Sequence, residues 1–216
     1  MSAGRAVPRS QAALDKRRAI LDAAVRVFAR QGFHTCRVSD IADEAGVAYG
    51  LVYHYFDSKD EVLDTLFLER WSVMLEMIRD VDTQQMPVRR KFDEIASFII
   101  ESYRHDPDLM KVIIVEVTRA ANSFGQTHLG LIREAYRLIG EIVTKAQIDG
   151  VFKPAIDSEF AAMAFYGAIE QVLTGWIFGL LPQGEEHFER AKQLVVETVC
   201  GGLEVTGSSE PEPADR

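Results

Sequence analysis

The chain has 216 residues, of which 47% are hydrophobic and 26% are charged, and these proportions exclude disorder of the whole chain. The formal net charge of -9 argues against general binding to a polyanion, unless the charge is unevenly distributed. Residues 1–60 carry nine Lys or Arg against seven Asp or Glu, whereas residues 61–216 carry fifteen against twenty-six. The first sixty residues are therefore the only segment suited to contact nucleic acid.

The sequence shows no targeting segment and only two cysteines. No apolar run approaches the roughly 18 residues that span a bilayer, and the N-terminus lacks the apolar stretch of a signal peptide. We therefore expect a cytoplasmic protein with no membrane partner. Cys36 and Cys200 lie far apart in apolar-periodic segments, which favours reduced, partly buried thiols over a disulfide or a metal site. No cofactor is predicted.

Helical periodicity dominates the chain between residues 11 and 205, and no segment alternates like a strand. Gly32 is predicted to end the first helix, and Ser58 with Glu61 forms a capping-box pattern at the start of the fourth. The predicted helices are Gln11–Gln31, Val38–Ala45, Tyr49–Phe56, a long helix from Ser58 through Ile78, Pro87–His105, Pro107–Ala121, Leu129–Asp149, Ser158–Leu181 and Glu186–Val205. The fold class is therefore all-α, with polar, disordered ends at residues 1–10 and 206–216.

Residues 38–56 read VSDIADEAGVAYGLVYHYF, two short helices around a tight turn. Ile41 gives the first helix an apolar face, Gly46 supplies the permissive backbone at the turn, and Val47 and Val52 fill the space between the helices. This is the pattern of a helix-turn-helix, whose second helix can lie in a major groove with its first residues against base edges.

The stretch from Ala19 to Phe67 resembles the DNA-binding region of the TetR family of bacterial transcription repressors. The matching segments are ILDAAVRVFARQGF, VSDIADEAGV and YHYFDSKDEVLDTLF. The resemblance implies a three-helix helix-turn-helix domain over residues 11–60 and a helical effector-binding and dimerisation domain over residues 61–205. Its implied partner is operator DNA.

The resemblance also implies roles for individual residues. Tyr49 and Gly50 open the recognition helix toward the bases, Tyr53 and His54 lie along the phosphate backbone, and Lys59 reaches a phosphate. The chemistry agrees, because hydroxyl and ammonium groups suit phosphate oxygens and a helix N-terminus favours anions.

Three positions depart from the usual family pattern or leave a choice open. Arg37 follows Cys36 where relatives often carry Thr or Ser, and it is a candidate for a charge-assisted phosphate contact. Leu51 replaces a common Thr, and it either packs on a thymine methyl or faces the core. Ser39 stands where some relatives place a base-reading side chain, and capping the helix is its alternative role. The sequence therefore leaves the preferred bases open.

Two wide apolar stripes lie on the last two predicted helices and exceed what one core needs. A small DNA reader usually works as a two-fold dimer on a near-palindromic operator. We therefore predict a homodimer joined by a four-helix bundle, with burial inside one subunit as the alternative. The candidate interface residues are Ile169, Val172, Trp176, Leu194, Val199 and Leu203.

Large and polar side chains of the second domain are candidates for binding a small hydrophobic effector, although each aromatic residue also suits an ordinary core position. The candidates are Trp71, Phe98, Tyr103, Arg119, Asn122, Phe124, Arg133, Phe165, Tyr166 and Gln171. For Arg133, a surface ion pair with Glu134 is the alternative. VTRAANSF and the stretch from REAYRLIG to LTGWIFG resemble acyl-CoA-responsive fatty-acid degradation repressors, which implies a long-chain acyl-CoA effector.

The sequence lacks the motifs of the enzyme classes that share an all-α fold. Helical carboxylate-bridged metal enzymes need Glu-x-x-His pairs, but the residues three before the histidines are Gln31, Leu51, Ser102, Gly125 and Gly184. No phosphate loop, dinucleotide fingerprint or nucleophile elbow occurs, so no enzyme is predicted. A helical lipid-binding protein with a purely structural helix-turn-helix is the remaining alternative.

Overall fold

The computed structural model describes residues 10–116 and 126–205, and over these residues the fold is all-α, as predicted. The helices are α1 (Gln11–Gln31), α2 (Val38–Ala45), α3 (Tyr49–Tyr55), α4 (Lys59–Thr83), α5 (Val88–His105), α6 (Pro107–Lys111), α7 (Gln126–Ile148), α8 (Ser158–Ile177) and α9 (Glu185–Leu203). A π-helical turn, Val112–Glu116, follows α6 directly.

Gly32 and the Ser58–Glu61 pair end and begin helices as predicted, and Ser10 is a cap that was not predicted. Ser10 accepts the N–H of Ala13 at the start of α1, and Gly32 ends that helix at φ 81°. Ser58 accepts the N–H of Glu61 at 3.1 Å, while the Glu61 carboxylate takes the N–H of Asp57. These side chains satisfy backbone groups that the first turn of a helix leaves unpaired, so the caps set where each helix begins.

The chain divides into two compact units. The first unit comprises residues 1–74 and 101–132. Its core takes in the segment after α5, because Val112 is fully buried among the side chains of the first four helices and Leu109 packs against them. The Lys111 ammonium also donates to the carbonyl of Ala29 at 2.7 Å.

The second unit comprises residues 75–100 and 133–216. Phe92, Phe152 and Phe165 are fully buried in it, and the Phe92 ring stands edge-on to the Phe165 ring at 4.6 Å. An antiparallel bridge joins Phe152 to Glu204, with the Lys153 N–H donating to the Leu203 carbonyl at 2.7 Å. The loop after α7 is thereby tied to the end of α9.

Two predicted helices differ from the expectation over the residues that the structure describes. α8 stops at Ile177 and not at Leu181, because Gly179 takes a left-handed conformation at φ 66° and the Leu180 N–H turns back to the Gly175 carbonyl at 2.7 Å. The helix predicted over Pro107–Ala121 is split after Lys111 by the π-helical turn, and its last residues lie outside the described part of the chain. The predicted disordered ends, apart from Ser10, also lie outside it.

Candidate nucleic-acid interface and effector region

The turn between α2 and α3 has the geometry that the helix-turn-helix pattern predicts. Gly46 adopts φ 64° and ψ 34°, and its N–H bonds the Asp43 carbonyl. The Val47 N–H then reaches the Ala42 carbonyl at 3.0 Å. Only glycine adopts this left-handed conformation without steric cost, so Gly46 lets the chain reverse between two short helices.

Buried apolar side chains hold α2 and α3 in place from beneath. Ile41 and Ala42 of α2 and Val52 of α3 are almost completely buried in the first unit's core. Val47 packs against the same core from the turn. Because neither helix exceeds eight residues, this tertiary packing and not intrinsic helix propensity stabilises them.

The outer face of α3 is aromatic and exposed. Tyr49 and Tyr53 are 53% and 38% exposed, and Gly50 and His54 are also exposed. The two tyrosine hydroxyls are 3.1 Å apart, and their rings meet edge-on at 5.1 Å. The hydrogen bond with Tyr49 is the main cause that raises the pKa of Tyr53. This face can offer hydroxyl and imidazole groups to phosphates or base edges, whereas Leu51 is half-buried.

The start of α2 differs from one sequence-based alternative. Asp40, and not Ser39, makes the helix cap: its carboxylate accepts the Arg37 N–H at 2.7 Å. Ser39 is the second residue of α2 and is half-buried, two positions beyond the N-cap residue Arg37. A carboxylate in the first turn also complements the helix dipole. The Arg37 side chain is exposed beside the helix-turn-helix, where a phosphate contact remains open to it.

The Lys59 side chain is bonded to the protein backbone. Its ammonium donates to the carbonyls of Phe33 and Cys36, the second at 2.8 Å, and lies 4.5 Å from the centroid of the Phe33 ring. The phosphate contact predicted for Lys59 stays a prediction, now beside a bond to the protein backbone that the sequence pattern did not indicate.

One acidic side chain on α2 is paired with two arginines of α1. Glu44 accepts from Arg26 at 2.7 Å and from Arg30 at 3.0 Å. The hydrogen bond from Arg26, followed by that from Arg30, lowers the pKa of Glu44. The two arginines offset a negative charge that would otherwise repel a polyanion. The net charge of the first sixty residues does not reveal this pairing.

Two candidate effector residues in the described part of the first unit are buried aromatics. Trp71 and Tyr103 are almost completely buried, and the Trp71 ring lies 5.4 Å from the Phe67 ring. The sequence analysis missed His128, a buried imidazole 4.7 Å from Phe67, whose Nε2 lies 3.4 Å from an Asp64 oxygen. No periodicity signals a histidine of this kind, because it occupies an ordinary helical position.

In the second unit, the candidates fall into separate environments. Phe165 is a core residue, and Tyr166 is half-buried with its ring 5.8 Å from that of Tyr136. Phe98 is also half-buried. Gln171 is exposed, so it does not line the interior of this unit as predicted.

The charged candidate Arg133 has a different environment from the aromatic candidates. Arg133 is exposed. Glu134, its alternative partner, instead pairs with two other arginines. It accepts a hydrogen bond from Arg79 at 2.9 Å and from Nε and Nη2 of Arg137. Arg137 and Arg79 lower the pKa of Glu134 to about 2. The remaining candidates, which lie outside the described residues, are Arg119, Asn122 and Phe124.

A half-buried carboxyl group in the second unit escaped the sequence analysis. Glu170 lies on α8, and burial raises its pKa above the usual range. Burial, with a smaller effect of the Glu170 charge, also raises the pKa of Tyr136. Such a pair of polar groups in apolar surroundings is a candidate for ligand contact that helical periodicity does not single out.

Half of the predicted dimer residues are buried inside one protomer. Ile169, Trp176 and Leu203 are 0%, 2% and 5% exposed, which favours the alternative of burial inside one subunit for these three residues. Val172 and Val199 are half-buried, and Leu194 is 62% exposed. The apolar stripe on each helix is wide enough to serve the core on one side, and the sequence could not tell which members did so. Large apolar side chains exposed on α8 and just after it are Phe160, Met163, Phe178, Leu180 and Leu181.

Several features expected of other protein classes are missing from the described residues. Over 10–116 and 126–205, no helix is long and apolar enough to cross a bilayer. The same residues contain no group of three or more His, Cys, Asp or Glu side chains placed to hold a metal ion. Cys36 and Cys200 are both buried cysteines.

Comparison with known proteins matches both parts of the chain. Residues 20–66 match the family described as "Bacterial regulatory proteins, tetR family", and residues 67–189 match "YsiA-like protein, C-terminal region". A fatty acid metabolism regulator protein of Bacillus subtilis (strain 168) is 28% identical over 158 residues, which cover 73% of this chain and 81% of that protein.

Two solved structures are similar over most of the chain. The fatty acid degradation regulator FadR from Bacillus halodurans has a TM-score of 0.79 at 25% identity, covering 91% of this chain and 98% of its own. FadR from Bacillus subtilis in complex with stearoyl-CoA has a TM-score of 0.76 at 26% identity, covering 87% of this chain and 99% of its own. These relatives are regulators and not enzymes.

Proposed function

Because the chain belongs to the TetR family of bacterial regulatory proteins, we propose that it is a dimeric transcription repressor that a hydrophobic effector releases from its operator. The observation that carries the proposal is the exposed aromatic face of α3, held on a helix-turn-helix by a left-handed Gly46. A helix of this kind reads the major groove with its first residues, so Tyr49 and Gly50 contact base edges.

Contacts with the phosphate backbone supply most of the affinity of such a reader. Arg37, Tyr53 and His54 are exposed on or beside the helix-turn-helix and serve as phosphate contacts. The half-buried Leu51 favours a packing role over contact with a thymine methyl. Since the N-terminal part is only weakly basic, one protomer binds weakly and dimerisation supplies the remaining affinity.

The dimer forms through the apolar surface that α8 and α9 leave uncovered in one protomer. Phe160 is 72% exposed, and Met163 and Leu194 are also exposed. Exposed apolar side chains of this size on adjacent helices mark an interaction surface. Two copies of the surface form a four-helix bundle around a two-fold axis, and the axis matches a pseudo-palindromic operator.

A long-chain acyl-CoA is the effector that the relatives favour, since one similar structure is described as a complex with stearoyl-CoA. In this chain the acyl group packs among apolar side chains of the helical domain. Arg119 and Asn122 contact the polar head, as the sequence resemblance implies. Binding need only favour a conformer whose recognition helices no longer fit the groove spacing, and linkage then releases the operator.

The proposal is tested by operator binding in the presence and absence of acyl-CoA. Fluorescence anisotropy with DNA from the region flanking its own gene is expected to give binding that weakens steeply with salt and is reversed by long-chain acyl-CoA but not by free CoA. Native mass spectrometry of freshly purified protein is expected to give a dimer mass and any retained acyl ligand.

The same measurements separate the proposal from a lipid-binding protein with a structural helix-turn-helix. Acyl-CoA binding without any salt-dependent DNA binding would favour the lipid-binding protein. DNA binding that no acyl-CoA affects would support the proposed repressor but refute acyl-CoA as its effector. Phe160→Ser serves as a matched variant, because it is expected to weaken both the dimer and operator binding while leaving α3 unchanged.

A further inference from the structure

The ammonium of Lys59 is bonded to two backbone carbonyls of the connection between α1 and α2. Lys59 is the first residue of α4, and its Nζ donates to the carbonyls of Phe33 and Cys36. Its position over the Phe33 ring, 4.5 Å from the centroid, adds a cation–π contact. Hydrogen bonds from a charged donor are roughly twice as strong as neutral ones, so this contact is a substantial one for a half-buried side chain.

The Cys36 carbonyl belongs to the peptide group that begins α2. The same peptide group contains the N–H of Arg37, which the Asp40 carboxylate accepts at 2.7 Å. Lys59 therefore holds the oxygen end of one peptide plane at 2.8 Å, while Asp40 holds its nitrogen end. Fixing both ends of this plane sets the direction in which α2 starts and the point from which the Arg37 side chain extends.

Further contacts hold the connection between α1 and α2. Residues 32–37 contain no helix, and the Cys36 N–H bonds the Gly32 carbonyl at 3.3 Å. The Cys36 thiol bonds the Phe33 carbonyl at 3.4 Å, and the Phe33 ring packs against Phe28 at 5.4 Å. The charged Lys59 contact thus joins α4 to a segment that is not helical.

We propose that Lys59 is a positioning residue for DNA recognition, which acts by fixing the Cys36–Arg37 peptide group and not by binding a phosphate. The inference rests on the proposed operator binding. It makes α4 and the start of the helix-turn-helix one mechanical unit, because a movement of the first turn of α4 also moves the first peptide of α2.

Two substitutions separate positioning from phosphate contact. Lys59→Met keeps the side-chain stem but loses the ammonium, and Lys59→Arg keeps the charge but replaces its compact geometry with a planar fork. We expect Lys59→Met to lower operator affinity at least about tenfold, or about 1.4 kcal/mol. A phosphate anchor would instead predict wild-type affinity for Lys59→Arg, which keeps the charge. Lys59→Arg is expected not to restore affinity.

A second measurement needs no DNA. Alkylation of Cys36, followed by peptide mass spectrometry, is expected to accelerate at least about tenfold in Lys59→Met, because the released connection opens by about 1.4 kcal/mol more readily. Cys200 is an internal reference, since burial raises the pKa of its thiol to about 12. Lys111→Met is the matched control: it removes an ammonium bonded to the Ala29 carbonyl in the same unit and is expected to leave Cys36 alkylation unchanged.

The outcomes distinguish this inference from the proposed function. Unchanged Cys36 alkylation in Lys59→Met would overturn the positioning role, as would wild-type operator affinity in Lys59→Arg. If Lys59→Met unfolds and both cysteines react, Lys59→Arg decides, since a phosphate anchor predicts wild-type affinity and positioning predicts weaker binding. Failure of the wild-type protein to bind operator DNA would refute the proposed function, while faster Cys36 alkylation would still support the link between α4 and α2.

Discussion

The helix-turn-helix and the α8–α9 region are built from similar apolar stripes, yet the roles of their residues follow from different physics. On α3, Val52 is buried while Tyr49 and Tyr53 face outward, because a helix of seven residues has room for only one buried face. On α8, both Phe165 and Phe160 belong to the apolar stripe, but the first is fully buried and the second is 72% exposed.

The two regions differ in how far along the sequence the residues lie that determine which side chains are buried. Turn chemistry and caps within twenty residues fix the helix-turn-helix, so its exposed side chains can be assigned position by position. The division of α8 between core and surface depends on partners distant in sequence, such as Phe92 and Phe152. Predictions about the second region therefore need measurements that separate burial in one protomer from burial between two.

Phe165→Ala gives the largest expected effect. Removing a fully buried phenylalanine is expected to lower the free energy of unfolding by about 3–5 kcal/mol, as measured by urea denaturation followed by circular dichroism. Phe160→Ala on the same helix is the control, with little loss of protomer stability but a weaker dimer, detected as a changed dependence of Tm on protein concentration. A loss below about 1 kcal/mol for Phe165→Ala would argue for a pocket-lining role.

The paired hydroxyls of Tyr49 and Tyr53 come next in size. The Tyr49 hydroxyl donates to the Tyr53 hydroxyl at 3.1 Å. The Tyr53 O–H therefore stays available to donate to an acceptor on DNA, and we expect the two side chains to contribute to DNA binding as a pair. Phenylalanine at either position is expected to weaken operator binding by about 1 kcal/mol, and the double variant by less than the sum of both. Additive losses in the double-mutant cycle would contradict a shared role.

Gly50→Ala tests whether α3 approaches DNA closely. No heavy atom lies within 4 Å of where a Cβ would stand, so alanine is expected to raise the free energy of unfolding by up to about 1 kcal/mol. Operator affinity is nevertheless expected to fall, because the methyl group enters the space left for DNA. Gly130→Ala has the same open surroundings and is expected to leave binding unaltered. Unchanged affinity in both variants would remove Gly50 from the interface.

The smallest expected effect concerns the ion-pair network of the second unit. Because the pKa of Glu134 is lowered to about 2, its charged pairing stabilises the fold above its ordinary pKa of 4.5 and loses this effect as the pH falls toward 2. Glu134→Gln is expected to cost about 0.5–1 kcal/mol at neutral pH, given the exposure of the pair. The difference from wild type should shrink on acidification and at high salt, and a constant difference would contradict the network.

Elements with local signals were predicted well. The helix class, the first three helices and the Gly32 and Gly46 turns follow from residues that the chain displays in sequence. The end of α8 was wrong because a single left-handed Gly179 overrides an apolar pattern that continues to Leu181. The π-helical turn at residues 112–116 has no comparable sequence signal.

Site residues divide in the same way. The exposed face of α3 agrees with a surface that contacts DNA, whereas the bonds of Lys59 to Phe33 and Cys36 join residues more than twenty positions apart and escaped the sequence pattern. An effector pocket is a collective property of several helices, so periodicity names its candidate residues without saying which of them share one environment.

The left-handed turn at Gly46 also limits which sequences the fold can accept. No atom would touch a Cβ at this position, so the constraint is on the backbone angle of φ 64° and not on space. Asparagine and aspartate enter this conformation more readily than other residues with a side chain, whereas β-branched residues resist it. A saturation library at position 46 should therefore retain Gly first and Asn next, with small hydrophobic residues such as Val absent despite the available room.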